Sequence, residues 1–182
     1  SGPHRFSYGS AYAAQSFSDV PKSDGRRIQI AWLRGNKPGM PFNQQMSFPC
    51  ELNLRDTPEG VRLHAEPVRE IDLLHKKRIE LGPGAKSPVD IGELLDVSVG
   101  IELTESNDSG KATVVVPGAS IVYDRELNTL RVEEESAPLP PIGATLALRI
   151  LIDRSSVEVI AQDGVVTIAV PTVPNANDKG IR

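Results

Sequence analysis

One tryptophan, one cysteine and three histidines are the side chains of this sequence whose types could do chemistry, set among 24 Asp and Glu. Trp32 is the first candidate. An indole offers a flat apolar face on which a sugar ring can stack, and an N–H that can hold a hydroxyl. It lies in Arg27-Ile28-Gln29-Ile30-Ala31-Trp32, where Ile28, Ile30 and Trp32 alternate with Arg27, Gln29 and Ala31. A strand must therefore carry it. The same indole could instead plug the core beneath that strand, and both readings stand. Cys50 alternates with Phe48, Leu52 and Leu54, which marks a buried thiol rather than a nucleophile. A single cysteine can form no disulfide within the chain. His4, His64 and His75 lie far apart and show no metal-ligand spacing. Leu81-Gly82-Pro83-Gly84 reads as a turn and not as a phosphate loop, because proline lacks the N–H such a loop needs. Neither a metal nor a cofactor is implied.

The elements that must position these residues are mostly short strands. Val157, Val159 and Ala161 alternate, Gln162-Asp163-Gly164 closes the run, and residues 165–170 start another. An Asp-Gly pair between two such runs is a strong hairpin signal, since glycine tolerates the positive φ of the turn. Leu95, Val97, Val99, Ile101 and Leu103 alternate with polar residues and Gly100, giving a half-buried strand. Residues 112–116, 120–124 and 129–132 read as further strands, Asn107-Asp108-Ser109-Gly110 as a turn, and Glu133-Glu134-Glu135 as a solvated strand end. Residues 137–143, with three prolines, read as a loop. Leu146, Leu148, Ile150 and Ile152 form the next inward face. Strands at this spacing predict an antiparallel β-sandwich from residue 81 onward. Its core is expected to hold Leu95, Val97, Val99, Ile101, Leu148, Ile150, Ile152, Val157 and Val159.

Upstream, residues 46–54 and 61–64 read as strands, with Arg55-Asp56-Thr57-Pro58-Glu59-Gly60 as the turn between them. One helix is predicted, over 67–79. Proline suits its first turn, Val68, Ile71, Leu73 and Leu74 form an apolar stripe, and Asp72 and Lys76 pair at i, i+4. His75 falls in this helix as a surface or interdomain contact. The net charge of −4 and the absence of a basic run longer than Lys76-Lys77-Arg78 argue against nucleic acid as the main partner. No apolar run approaches the ~18 residues of a membrane span. Hydrophobic content of 39% with only 4% aromatics suffices for a core of valine, isoleucine and leucine.

The wording of three stretches carries a resemblance. The stretch from Leu151-Ile152-Asp153-Arg154 through Gln162-Asp163-Gly164 resembles the hairpin of the C-terminal β-sandwich of glycoside hydrolase family 32, the invertases, levanases and inulinases. Tyr8-Gly9-Ser10-Ala11-Tyr12-Ala13-Ala14-Gln15-Ser16-Phe17 resembles a strand of that family's last propeller blade. Pro38-Gly39-Met40-Pro41-Phe42-Asn43-Gln44-Gln45-Met46-Ser47-Phe48-Pro49-Cys50-Glu51-Leu52 resembles the segment that closes the propeller. The resemblance implies an all-β chain: residues 1–64 ending a five-bladed propeller, 65–80 a linker with a short helix, and 81–182 a C-terminal sandwich that stops before its last strand.

Retaining enzymes of this kind use a nucleophilic carboxylate and an acid/base carboxylate ~5–5.5 Å apart. The family's nucleophile motif is absent: the one tryptophan, Trp32, is followed by Leu33-Arg34-Gly35. Arg55-Asp56-Thr57 is similar to the family's Arg-Asp-Pro motif but lies after the propeller-closing segment and reads as a turn. Cys50-Glu51 inverts the family's Glu-Cys order, and alternation turns Glu51 away from the face holding Cys50, as a solvated or salt-bridged strand residue. Ser7 stands where the family carries Asp. The expectation is a piece of a fructan- or sucrose-hydrolysing enzyme with no catalytic residue of its own, inactive alone, with Trp32 as its one sugar-contacting residue. The alternatives are a carbohydrate-binding or structural sandwich and an adhesion module unrelated to sugars. The expected partners are a fructan or sucrose-like carbohydrate and the rest of the propeller, with self-association through unpaired strand edges. The resemblance implies a secreted or periplasmic location.

Overall fold

A computed structural model describes residues 3–36, 38–40, 42–82, 91–103, 110–173 and 180–181. Its fourteen strands are β1 (Ser7–Gly9), β2 (Ala11–Ser16), β3 (Ile28–Arg34), β4 (Gln44–Met46), β5 (Cys50–Thr57), β6 (Gly60–Pro67), β7 (Leu95–Glu102), β8 (Lys111–Val116), β9 (Ala119–Asp124), β10 (Thr129–Val132), β11 (Glu135–Pro138), β12 (Thr145–Asp153), β13 (Ser156–Ala161) and β14 (Val166–Pro171). They form three sheets. The central sheet runs β1-β14-β13-β12-β7, antiparallel except that β1 lies parallel to β14. The outer sheet runs β11-β10-β9-β8. The N-terminal sheet runs β2-β3-β5-β6, with β4 also pairing β3. The chain is all-β, as the strand spacing predicts.

The central and outer sheets make the sandwich. Leu148, Ile150 and Ile152 of β12 and Val157, Val159 and Ala161 of β13 meet Ile121 and Tyr123 of β9 and Leu130 and Val132 of β10 in one core. Each fully buried Val, Leu or Ile contributes about 1.5–3 kcal/mol. Leu95, Val97, Val99 and Ile101 pack against this core but are only half-buried, because β7 is an edge strand. The hairpin falls where the sequence places it. Gln162, Asp163 and Gly164 all take positive φ, at 48°, 55° and 88°.

The other face of the central sheet is covered too. Leu151 and Ile160 pack with Ile28 of β3, Val68 and Ile71, with Phe48 alongside. All six residues of β13 are therefore buried. The chain crosses between layers at Gly9 and Ser10. Gly9 has φ 78°, and a Cβ there would lie 2.1 Å from the Ala169 carbonyl oxygen. Ser10 donates both its N–H and its hydroxyl to that oxygen, at 2.8 and 3.1 Å. Residues 7–9 thus belong to the sandwich ladder although they precede the N-terminal sheet.

Several expectations need correction. The helix over 67–79 is a short 3-10 helix of six residues, Arg69–Leu74. Pro67 ends β6, and the Val68 N–H bonds the Pro49 carbonyl instead of opening a helix. Only Ile71 of this helix is buried, while Leu73 and Leu74 are 83% and 72% exposed. Local propensity yields to packing, since burying Val68 and Ile71 suffices to pin the segment. Arg55, Asp56 and Thr57 end strand β5, and the turn proper is Pro58-Glu59. Residues 137–143 are not all loop. Ala137 and Leu139 are 1% exposed, and Pro138 closes β11 at the edge of the outer sheet, where no ladder N–H is needed. Glu133-Glu134 forms the β10–β11 turn, with Glu133 at φ 53° and its carboxylate accepting the Ser120 N–H. Thr104 and the expected turns at Pro83-Gly84 and Asn107-Asp108-Ser109 lie outside the described residues.

Candidate functional site

Three strands of the N-terminal sheet align one side chain each. Tyr12 of β2 stands directly opposite Trp32 of β3, which stands opposite Met46 of β4. Directly opposed residues project from the same face of a sheet. Trp32 is half-buried between Ala31 and Leu33, both buried. Its indole N–H donates to the Gln44 side-chain oxygen. The Tyr12 and Trp32 rings meet edge-to-face, with centroids 6.0 Å apart and planes at 65°. The Arg34 guanidinium lies 4.6 Å over the Tyr12 ring, a cation–π contact worth about 0.5–1 kcal/mol at an exposed site. Tyr12 and Met46 are 55% and 54% exposed. An aromatic row flanked by an amide and a guanidinium can stack on a sugar face and bond its hydroxyls. Tyr12 and Gln44 escape a reading of the sequence because the pairing of β2, β3 and β4 is non-local, with a bulge between Tyr12 and Gln15; Arg34 shares the Trp32 face by alternation, but its ring partner comes from β2.

The other chemistry-bearing residues are dispersed. Glu51 is half-buried and accepts the Asn53 side-chain amide at 3.3 Å. Asp56 stands opposite Val61 near the end of β5. His4 is exposed; His64 is buried, one ring nitrogen 2.8 Å from the Asp163 carbonyl oxygen. The Cys50 thiol contacts the Phe48 carbonyl at 3.7 Å. Burial pushes it up to about 12, Glu158 adding to the rise, so it stays protonated and unreactive while the layers are packed.

Asp72, His75 and Asp96 bring ligand-type atoms within 4.8 Å of one another. Arg149 takes the place of a cation there, its Nη2 2.6 Å from both Asp72 Oδ1 and Asp96 Oδ2, and His75 Nε2 lies 2.8 Å from Asp96 Oδ2. Burial raises the Asp96 carboxyl, but the Arg149 and His75 hydrogen bonds outweigh it and hold the group below the usual carboxylate range. This network ties the 3-10 helix to the exterior of the central sheet.

The family model for the C-terminal part of glycosyl hydrolases family 32 matches residues 76–182. The chain belongs to that family. A levanase of Bacillus subtilis (strain 168) is 28% identical over 202 residues, covering 93% of this chain and 30% of that protein. A levanase of Bacillus sp. (strain L7) is 30% identical over 203 residues, covering 93% and 22%. This family 32 chain thus spans less than a third of the length of either levanase. Among solved structures, exo-inulinase from Aspergillus awamori superposes with a TM-score of 0.81 at 18% identity, covering 97% of this chain and 40% of that one. Fructan 1-exohydrolase IIa from Cichorium intybus gives 0.72 at 18% identity, over 98% and 45%. At those identities the likeness speaks for the fold.

Proposed function

We propose that the chain is the C-terminal portion of a β-fructofuranosidase- or levanase-like hydrolase that acts on fructans or sucrose through a retaining, two-carboxylate mechanism. Residues 1–64 would end its propeller, 65–80 link the two parts, and 81–182 form the buttressing sandwich. The observation that carries this reading is the extent of the similarity. It covers 93% of the chain in both levanases, and so includes the N-terminal sheet as well as the sandwich.

In this reading both catalytic carboxylates lie outside the chain, and its own residues bind and brace. The Trp32 face stacks on a fructosyl unit, with Gln44 and Arg34 within reach of its hydroxyls. Glutamine holds the indole N–H and so fixes the ring's tilt. Titration of the purified 182-residue chain with levan and inulin oligosaccharides, followed by the Trp32 indole N–H resonance, tests this. A saturable shift that is weakened in Arg34→Ala is expected, with no fructose released. No shift at millimolar sugar removes Trp32 from the sugar contact, and fructose release abolished by a substitution within the chain refutes the placement of the carboxylates.

A further inference from the structure

Glu158 sits where a strand's outward residue would ordinarily meet water, between Val157 and Val159 of β13. It is instead 8% exposed, because the N-terminal sheet covers that face. A cavity of about 40 Å³ lies between the two layers, lined by Gln29, Ser47, Phe48, Cys50, Glu158 and Ile160 among others. Across it the Phe48 N–H donates to Glu158 Oε1 at 2.9 Å, bridging from the N-terminal layer to the central sheet.

The charges around this carboxyl do not favour its anion. Asp153 of β12 repels it. The Cys50 thiol of β5 faces it as a neutral group. Gln29 of β3, Ser47 and Thr167 of β14 are uncharged. Arg149 of β12 is engaged by Asp72 and Asp96, and among the described residues no ion pair reaches Glu158. A carboxylate held in a layer interface by one backbone N–H is costly, and the group neutralises or leaves.

We propose that Glu158 is a proton-operated latch between the N-terminal sheet and the sandwich: neutral, it stays packed against Phe48; ionised, it loosens the two layers. Burial pushes the carboxyl from 4.5 up to about 8, against the pull of the Phe48 N–H and with Asp153 adding to the rise. The packed form therefore holds a proton that the opened form releases between those two values. Its contribution is fully present below pH 4.5 and is lost as pH rises toward 8. The opening equilibrium rises by at most about tenfold per pH unit within that window.

Cys50 is the single cysteine and lines the same cavity, so its modification by a small thiol reagent reads the opening. The rate in the full chain divided by that in Glu158→Gln, taken at each pH, cancels the reagent's own pH dependence. This ratio is expected to climb about three- to tenfold per unit from pH 5.5 to 7.5. A ratio that stays constant overturns the latch. As a second readout in the unmodified chain, exchange of the Phe48 amide is compared with the amides of the β9–β10 ladder, each corrected for its intrinsic rate. Their ratio must rise over the same window, and constancy overturns the proposal even if Glu158→Gln does not fold.

Discussion

Replacing Gly164 with alanine tests whether the β13–β14 hairpin is the abutment that locks the N-terminal sheet in place. Gly164 has φ 88°, and a Cβ there would stand 2.4 Å from the Ala65 carbonyl oxygen, 2.6 Å from its carbon and 2.7 Å from its nitrogen. The obstacle is backbone, so no rotamer change relieves it. Alanine in this conformation costs about 1–2 kcal/mol. Backing away from β6 also breaks the bond from the Ala65 N–H to the Gly164 carbonyl, 2.9 Å, and strains the His64–Asp163 contact, 2.8 Å. At about 0.5–1.5 kcal/mol for each hydrogen bond, the total loss is about 2–5 kcal/mol. Gly143→Ala is the matched control, since Gly143 has φ 82° and nothing within 4 Å of its would-be Cβ. It suffers only the conformational part, about 1–2 kcal/mol. Urea unfolding followed by fluorescence reads the N-terminal layer directly, because Trp32 is the only tryptophan. If Gly164→Ala loses no more stability than Gly143→Ala, the hairpin does not bear on β6 and the reasoning fails.

Three other outcomes are expected. Val159→Asp, at a 0% exposed site in the sandwich core, should unfold the chain at a cost on the order of 3–5 kcal/mol, and Val99→Asp on the half-buried edge strand should cost less; equal thermal midpoints would contradict the layer assignment. Asp96, held below its usual range by Arg149 and His75 against its burial, binds fewer protons folded than unfolded. Its contribution, about 1.5–3 kcal/mol for charge-assisted bonds, is present at neutral pH and fades as pH falls through the folded value, so the wild-type advantage over Asp96→Asn in chemical denaturation should vanish in acid and an undiminished advantage would refute the pairing. The chain should self-associate with rising concentration in sedimentation experiments through exposed apolar residues of its N-terminal sheet, among them Tyr12, Leu54 and Val61, the last two 73% and 56% exposed. Charged substitutions at Leu54 and Val61 should suppress this, and a monomer at every concentration would count against it.

What the sequence determines here is what depends on neighbours a few residues away. Side chains alternate across a strand with period two, so Leu148, Ile150, Ile152, Val157 and Val159 declare an inward face, and all are buried. Positive φ at Gly164 is a local property of the turn and is legible as such, whereas positive φ at Gln162 and Asp163 is not. Trp32 could be placed on a strand by the same alternation, but its companions could not. Tyr12 and Gln44 reach it only through strand pairings separated by 20 and 12 positions in the chain, and no local period encodes such a register. The tertiary structure alone decides that the central sheet has a second cover. One covered face predicts a solvated Glu158; two covered faces bury it, raise its proton affinity and place it against Phe48, 110 residues earlier. The same distant packing reduces the apolar stripe over 67–79 to a six-residue 3-10 helix, because the surface that receives it takes Val68 and Ile71 and leaves Leu73 and Leu74 in water.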